Sequence, residues 1–152
     1  MSNLRLAPIQ MTQMVFTKFN IEASENLDKI SELWAPSFDF EGVNFAVKVQ
    51  LAEDASQSEN PLNYMVILSV DCPGESEESK IPPYKISLEA HGWFEVSKAL
   101  PKEKRTSLVH VNGSSMMFGA MREAVSLITG RSAFGPLTLP SFQFLPEKEN
   151  NN

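Results

Sequence analysis

The sequence predicts an α+β domain in which four antiparallel strands precede one long helix. Three observations carry that prediction. Four stretches rich in Val, Ile, Phe and Tyr fill the first two thirds of the chain. The connections around the third of them are polar and lack the crossover helix that parallel strands require. One helix-periodic segment follows. At 152 residues and 42% hydrophobic content, the chain can bury a core without disulfide or metal staples. No internal repeat or interior linker divides it. Residues 9–145 are read as the domain, 1–8 as an N-terminal arm, and the polar 146–152 as a disordered tail.

The first strand is "IQMTQMVFTKFNIEA" (9–23), with partial alternation of apolar and polar residues. The second, "FDFEGVNFAVKVQL" (38–51), alternates better, with a phase change at Gly42 that predicts a bulge. The third, "LNYMVILSV" (62–70), is almost continuously apolar, as expected of a strand covered on both faces. "YKISLEAHGWFEV" (84–96) is the fourth. "EDASQSENP" and "DCPGESEESKIPP" are short enough to make the last two connections hairpins.

Asn112 or Ser114 is placed to cap the helix and Gly130 to stop it in the left-handed conformation. Between them Met117, Ala120, Met121, Ala124, Val125 and Ile128 form the stripe expected under the sheet. The opposite stripe, Ser115, Gly119, Arg122, Ser126 and Thr129, is small and nearly uncharged, and Met116, Phe118 and Leu127 flank it. Such a helix is expected to be covered on more than one side. One sheet supplies one cover; the second is expected from another protomer, with Ser115, Gly119, Arg122 and Ser126 at the interface. The alternative is that residues 98–111 fold back over the helix.

After the helix, "AFGPLTLPSFQFLP" (133–146) is apolar but carries Pro136, Pro140 and Pro146, which deny it a helix and keep it extended. An apolar extended ribbon on a surface makes a groove wall suited to apolar ligands. Seven Met residues suit an adaptable apolar surface, though Met14, Met65, Met117 and Met121 fit a core equally well.

Composition removes other functions. A net charge of −6, with 13 scattered basic residues, argues against a nucleic-acid face. The basic group "KEKR" (102–105) reads as a solvated helix start. Cys72 is the lone cysteine, which fits a reducing compartment. With no signal-like N-terminus and no apolar run near the roughly 20 residues of a bilayer span, a cytoplasmic location without membrane insertion is expected. His91 and His110 lack metal-site spacing, "GRSAFG" (130–135) lacks the lysine of a phosphate loop, and Ser114–Ser115 fits a helix start. No catalytic residue, metal or cofactor is expected.

The quoted segments together resemble the SecB family of bacterial export chaperones. "VFTKFNIEAS" (15–24) is similar to its first strand, and "LWAPSFDF" (33–40) to its Trp-x-Pro element. "HGWFEV" (91–96) is similar to its Gly-aromatic strand. "NGSSMMFGAMREAVSLITGRSAFGPLTLPSFQF" (112–144) resembles its helix and following loop, with Met121-Arg122-Glu123-Ala124 at the core. The resemblance spans roughly residues 9–145. It implies a four-stranded sheet with one long helix, assembled as a homotetramer, a dimer of dimers with helices between two eight-stranded sheets. It implies an ATP-independent holdase for non-native polypeptides such as preproteins. It places Trp34, Phe38, Phe40, Phe134, Leu137, Leu139, Phe142 and Phe144 in a peptide-binding groove. The family's second, C-terminal helix is short or absent here. Of the acidic positions implied in docking the motor SecA, Glu22 matches one, while Phe19 and Ser87 stand where acids are expected. Some family members serve an antitoxin instead, and that partner class stays open.

Overall fold

A computed structural model describes residues 3–53, 61–73 and 80–146. Among them β1 (Ile9–Ala23), β2 (Ala46–Glu53), β3 (Asn63–Cys72) and β4 (Tyr84–Val96) form one antiparallel sheet in the order β1-β4-β3-β2. Both hairpins expected from the polar connections are present. The central strands β3 and β4 bury every second residue, among them Val66, Leu68 and Val70 facing the same side as Leu88, Ala90 and Phe94. The opposite face of β3 is half covered rather than fully buried, a correction to the two-sided burial its composition predicted.

β1 explains its own imperfect alternation. Its register against β4 shifts between Met11 and Gln13 and again between Phe16 and Lys18. Each shift inserts one extra residue, Thr12 and Thr17, so the inward apolar set falls at Met11, Met14, Phe16, Phe19 and Ile21. Both hydroxyls donate back to β4, Thr12 Oγ1 to Trp93 O (3.2 Å) and Thr17 Oγ1 to Glu89 Oε1 (2.8 Å).

The second strand is shorter than its sequence pattern. Ala46 pairs with Asp71, and β3 ends at Cys72, so no ladder remains for residues 38–45. Those residues leave the sheet. Gly42, at φ +85°, sits in a turn rather than a bulge.

The helix begins earlier than Asn112 or Ser114. α1 (Lys102–Leu108), a π-helical turn (Val109–Gly113) and α2 (Ser114–Thr129) run on with helical backbone angles at the junctions Val109 and Ser114. Residues 102–111 therefore extend the rod instead of folding over it. The "KEKR" start is as expected, except that Arg105 is buried, donating through Nε to Leu100 O (3.0 Å). The π turn interrupts the 3.6-residue phase, which is why periodicity marks only α2.

α2 buries Ser114, Met117, Phe118, Met121, Val125 and Thr129. Relative to the expected stripe, Phe118 has moved in and Ile128, 57% exposed, has moved out. The chain's own tail causes the rotation, because it covers the Phe118 side while the sheet covers Met117 and Met121. Met117 seats against Gly92, where a Cβ would lie 2.7 Å from its sulfur. Gly130 stays right-handed (φ −54°), and the left-handed residue is Gly135 at φ +79°.

The described part of the arm, residues 3–8, has no strand or helix, and the polar tail beyond residue 146 lies outside the described residues. No described helix is long and apolar enough to cross a membrane.

Candidate functional site

The extended ribbon after α2 is pinned to the body by groups that replace a missing ladder. Tyr84 Oη accepts from Phe134 N (3.0 Å) and donates to Gly135 O (2.8 Å). Ala35 N donates to Phe134 O (2.8 Å). Thr129 Oγ1 donates to Val125 O (2.6 Å) and accepts from Leu137 N (2.8 Å). Arg122 Nε donates to Leu139 O (2.9 Å). Buried backbone needs such partners, and prolines lower the demand for acceptors. Burial, partly countered by the Phe134 hydrogen bond, raises the Tyr84 pKa, so its hydroxyl stays protonated and can both give and take.

These pins decide which ribbon side chains face outward. Phe134, Leu137 and Leu139 are buried. They belong to the core here, whereas the resemblance placed them in the groove. Beyond Pro140 the chain loosens, and Phe142 and Phe144 are half-buried. Both rest on Phe118, with ring centroids 5.1 and 6.0 Å away.

A run of aromatic rings continues from there. Phe142 meets Phe45 at 5.3 Å, Phe45 meets Phe40 at 5.7 Å, and Phe40 meets Phe38 edge-on at 5.0 Å. Six rings thus join the turn 38–45, the ribbon and the helix, and five of the six are half-buried. Trp34, 41% exposed, stands apart, its ring stacked over Gly135. A Cβ at Gly135 would sit 2.8 Å from Trp34 Cη2, and the positive φ there already favours glycine.

A second apolar surface lies on the other side of α2. Phe16 and Phe19 of β1 share a shallow concavity with Ala124, Leu127 and Ile128. Leu127 is 74% exposed, and a Cβ at Gly119 would touch nothing within 4 Å. None of the stripe residues Ser115, Gly119, Arg122 and Ser126 lines this concavity. Ser115 and Gly119 are exposed, with Ser115 Oγ donating to Val111 O (2.8 Å). Arg122 and Ser126 are half-buried, Arg122 through its bond to the ribbon.

Charge chemistry is sparse. On the outer sheet face, Glu89 lies 3.5 Å from His91 Nε2, and its pKa is held below the usual value first by the Thr17 hydrogen bond. Among the described residues no three His, Cys, Asp or Glu side chains cluster as a metal site.

The family described as preprotein translocase subunit SecB matches residues 8–146. The chain belongs to the SecB family. Its function class is therefore that of a chaperone and not of an enzyme. A SecB-like chaperone of Mycobacterium tuberculosis, solved with a ChAD peptide from the HigA1 antitoxin, shares the SecB-like fold at 17% identity. The TM-score is 0.51, over 90% of this chain and 91% of that one. A protein of unknown function from Streptococcus agalactiae is similar at 15% identity and TM-score 0.50, over 88% and 97% of the two chains. No curated protein sequence matches.

Of the groove residues the resemblance implied, Trp34 is exposed and Phe38, Phe40, Phe142 and Phe144 are half-buried. Sequence reasoning missed Phe45, read as one more strand residue, and Phe118, read as a helix flank. Tyr84 and Thr129 carried no signal of this role, because their part is to hold backbone rather than to form a pattern.

Proposed function

We propose that this protein is an ATP-independent holdase that keeps non-native polypeptides extended along the aromatic run from Phe38 to Phe144. The observation that carries the reading is the continuity of six rings across three unrelated segments, five of them half-buried where packing could have closed them and the sixth, Phe118, buried beneath. Rings that offer faces and edges take any apolar side chain, and several weak subsites in a row add up to useful affinity while letting a client leave. Trp34 offers a separate exposed ring beside the run, and Phe134, Leu137 and Leu139 support the wall from beneath.

The second apolar face fits self-association. Leu127, Ile128, Phe16 and Phe19 together are costly to leave wet, at about 1.5–3 kcal/mol for each large side chain fully covered. A second copy placing its own α2 and β1 there leads to the homotetramer expected of the family, with Ser115 and Gly119 permitting close helix approach. A cytoplasmic site of action fits this role.

Client class divides the readings. General delivery of preproteins needs the motor SecA, and the matching acidic set is thin, with Glu22 exposed but Phe19 and Ser87 in place of acids. A dedicated partner such as an antitoxin is the second reading, favoured by the antitoxin peptide on the mycobacterial neighbour.

The test combines native mass spectrometry with suppression of aggregation of an unfolded substrate. Phe38→Asp and Phe142→Asp are expected to lose suppression while the assembly keeps its mass. Full suppression by both variants refutes the groove; recovery of one client rather than many supports the dedicated reading.

A further inference from the structure

We infer that Lys80 is the positioning residue of the groove's Phe38 end and that it biases that end against basic client residues. This rests on the groove reading above. Residues 38–45 have left the sheet, so something other than a ladder must fix the two aromatic rings at their start. Within the turn, Glu41 N donates to Asp39 Oδ1 (2.9 Å) and Val43 N to Phe40 O (3.0 Å), which shape it without tying it to the body.

Lys80 ties it three times. Its backbone N donates to Gly42 O (3.0 Å), its Nζ donates to Asp39 O (2.5 Å), and the same ammonium stands 4.6 Å from the centre of the Phe38 ring. The ring's electron-rich face attracts a cation. Lys80 therefore holds the turn at Gly42 through its backbone and at Asp39 through its side chain, and the side chain orients the leading aromatic. Without it, the turn spends less time in the binding geometry, and apparent affinity falls in proportion to the populated fraction.

The same ammonium has a second effect. Phe38, Leu33 and Ile81 line a concavity whose rim carries Lys29, Glu32 and Lys80. Because Lys80 already occupies one face of Phe38, a client lysine or arginine arriving there meets like charge on a ring already engaged. The overall charge of −6 draws cationic clients at long range, and this end works against that trend.

Two apolar fluorescent peptides, identical except for Glu or Lys beside the aromatic anchor, read both effects. The wild-type protein is expected to prefer the Glu peptide about threefold at low salt, a preference that shrinks as salt screens it. Lys80→Met is expected to weaken the Glu peptide about fivefold and to abolish the preference. Lys80→Arg, which keeps the cation and its donors, is expected to retain both. Equal weakening of both peptides in Lys80→Met and Lys80→Arg overturns the inference, as does binding by Lys80→Met at wild-type strength and preference. Failure of the wild-type protein to bind either peptide refutes the groove itself, and this role with it.

Discussion

The aromatic run and the β1–α2 face are both apolar and open, yet they are built from opposite materials. The run stands on irregular chain, a turn outside the sheet and a ribbon held by side-chain hydroxyls, and its rings touch edge-on and tilted. The other face stands on a strand and a helix, with Ala124 keeping it low between Phe16, Phe19 and Leu127. Irregular backbone and half-packed rings can shift to suit varied partners. Regular elements offer one fixed shape, which suits a partner that never changes, such as another copy of the chain. Under the proposed function, this difference in construction separates client binding from assembly.

Four variants press on that separation. The largest effect is expected from Leu127→Asp combined with Ile128→Asp. Charging two exposed positions should remove about 3–5 kcal/mol of association per subunit and split the assembly. Light scattering measures it, and an intact assembly would return this face to ordinary surface. Phe40→Asp comes next, weakening client peptides about tenfold or more by placing a charge among Phe38, Phe45 and the client, with assembly mass unchanged. Fluorescence titration beside light scattering reads both quantities.

Thr129→Val keeps the shape of the side chain but strands the Leu137 amide. It should cost about 1–3 kcal/mol, seen as a lower Tm, and loosen the ribbon so that client binding suffers more than association. Glu89→Gln should be the mildest and should leave both functions alone. The Glu89 pKa is lowered in the fold, so its carboxylate stabilises at neutral pH, and this is lost as pH falls below the usual 4.5. Thermal melts of the two proteins should differ slightly at pH 7 and converge at acidic pH.

Much of the fold was readable because the ladders follow local composition. β1 and β4 begin and end where Val, Ile, Phe and Trp alternate, and each has a partner along its length. Residues 38–45 misled because Phe38, Phe40 and Phe45 imitate a strand, and only the end of β3 at Cys72 reveals that nothing remains to pair with them. The helix start was hidden by the π turn, which breaks the phase that a periodicity reading follows. In the site, Phe142 and Phe144 cannot be told from Phe134 and Leu137 by composition. The hydroxyls of Tyr84 and Thr129, distant in sequence, decide which of them turn inward.

The two register shifts in β1 matter to a protein that handles unfolded chains. A straight edge fifteen residues long would invite any passing extended segment to zip onto it and never leave. Thr12 and Thr17 cut that edge into three short pieces, Ile9–Met11, Gln13–Phe16 and Lys18–Ala23. A cargo strand without matching interruptions loses its pairing within a few residues. In the proposed assembly a sister strand carries the same interruptions, so the border of the sheet would admit kin and turn cargo away.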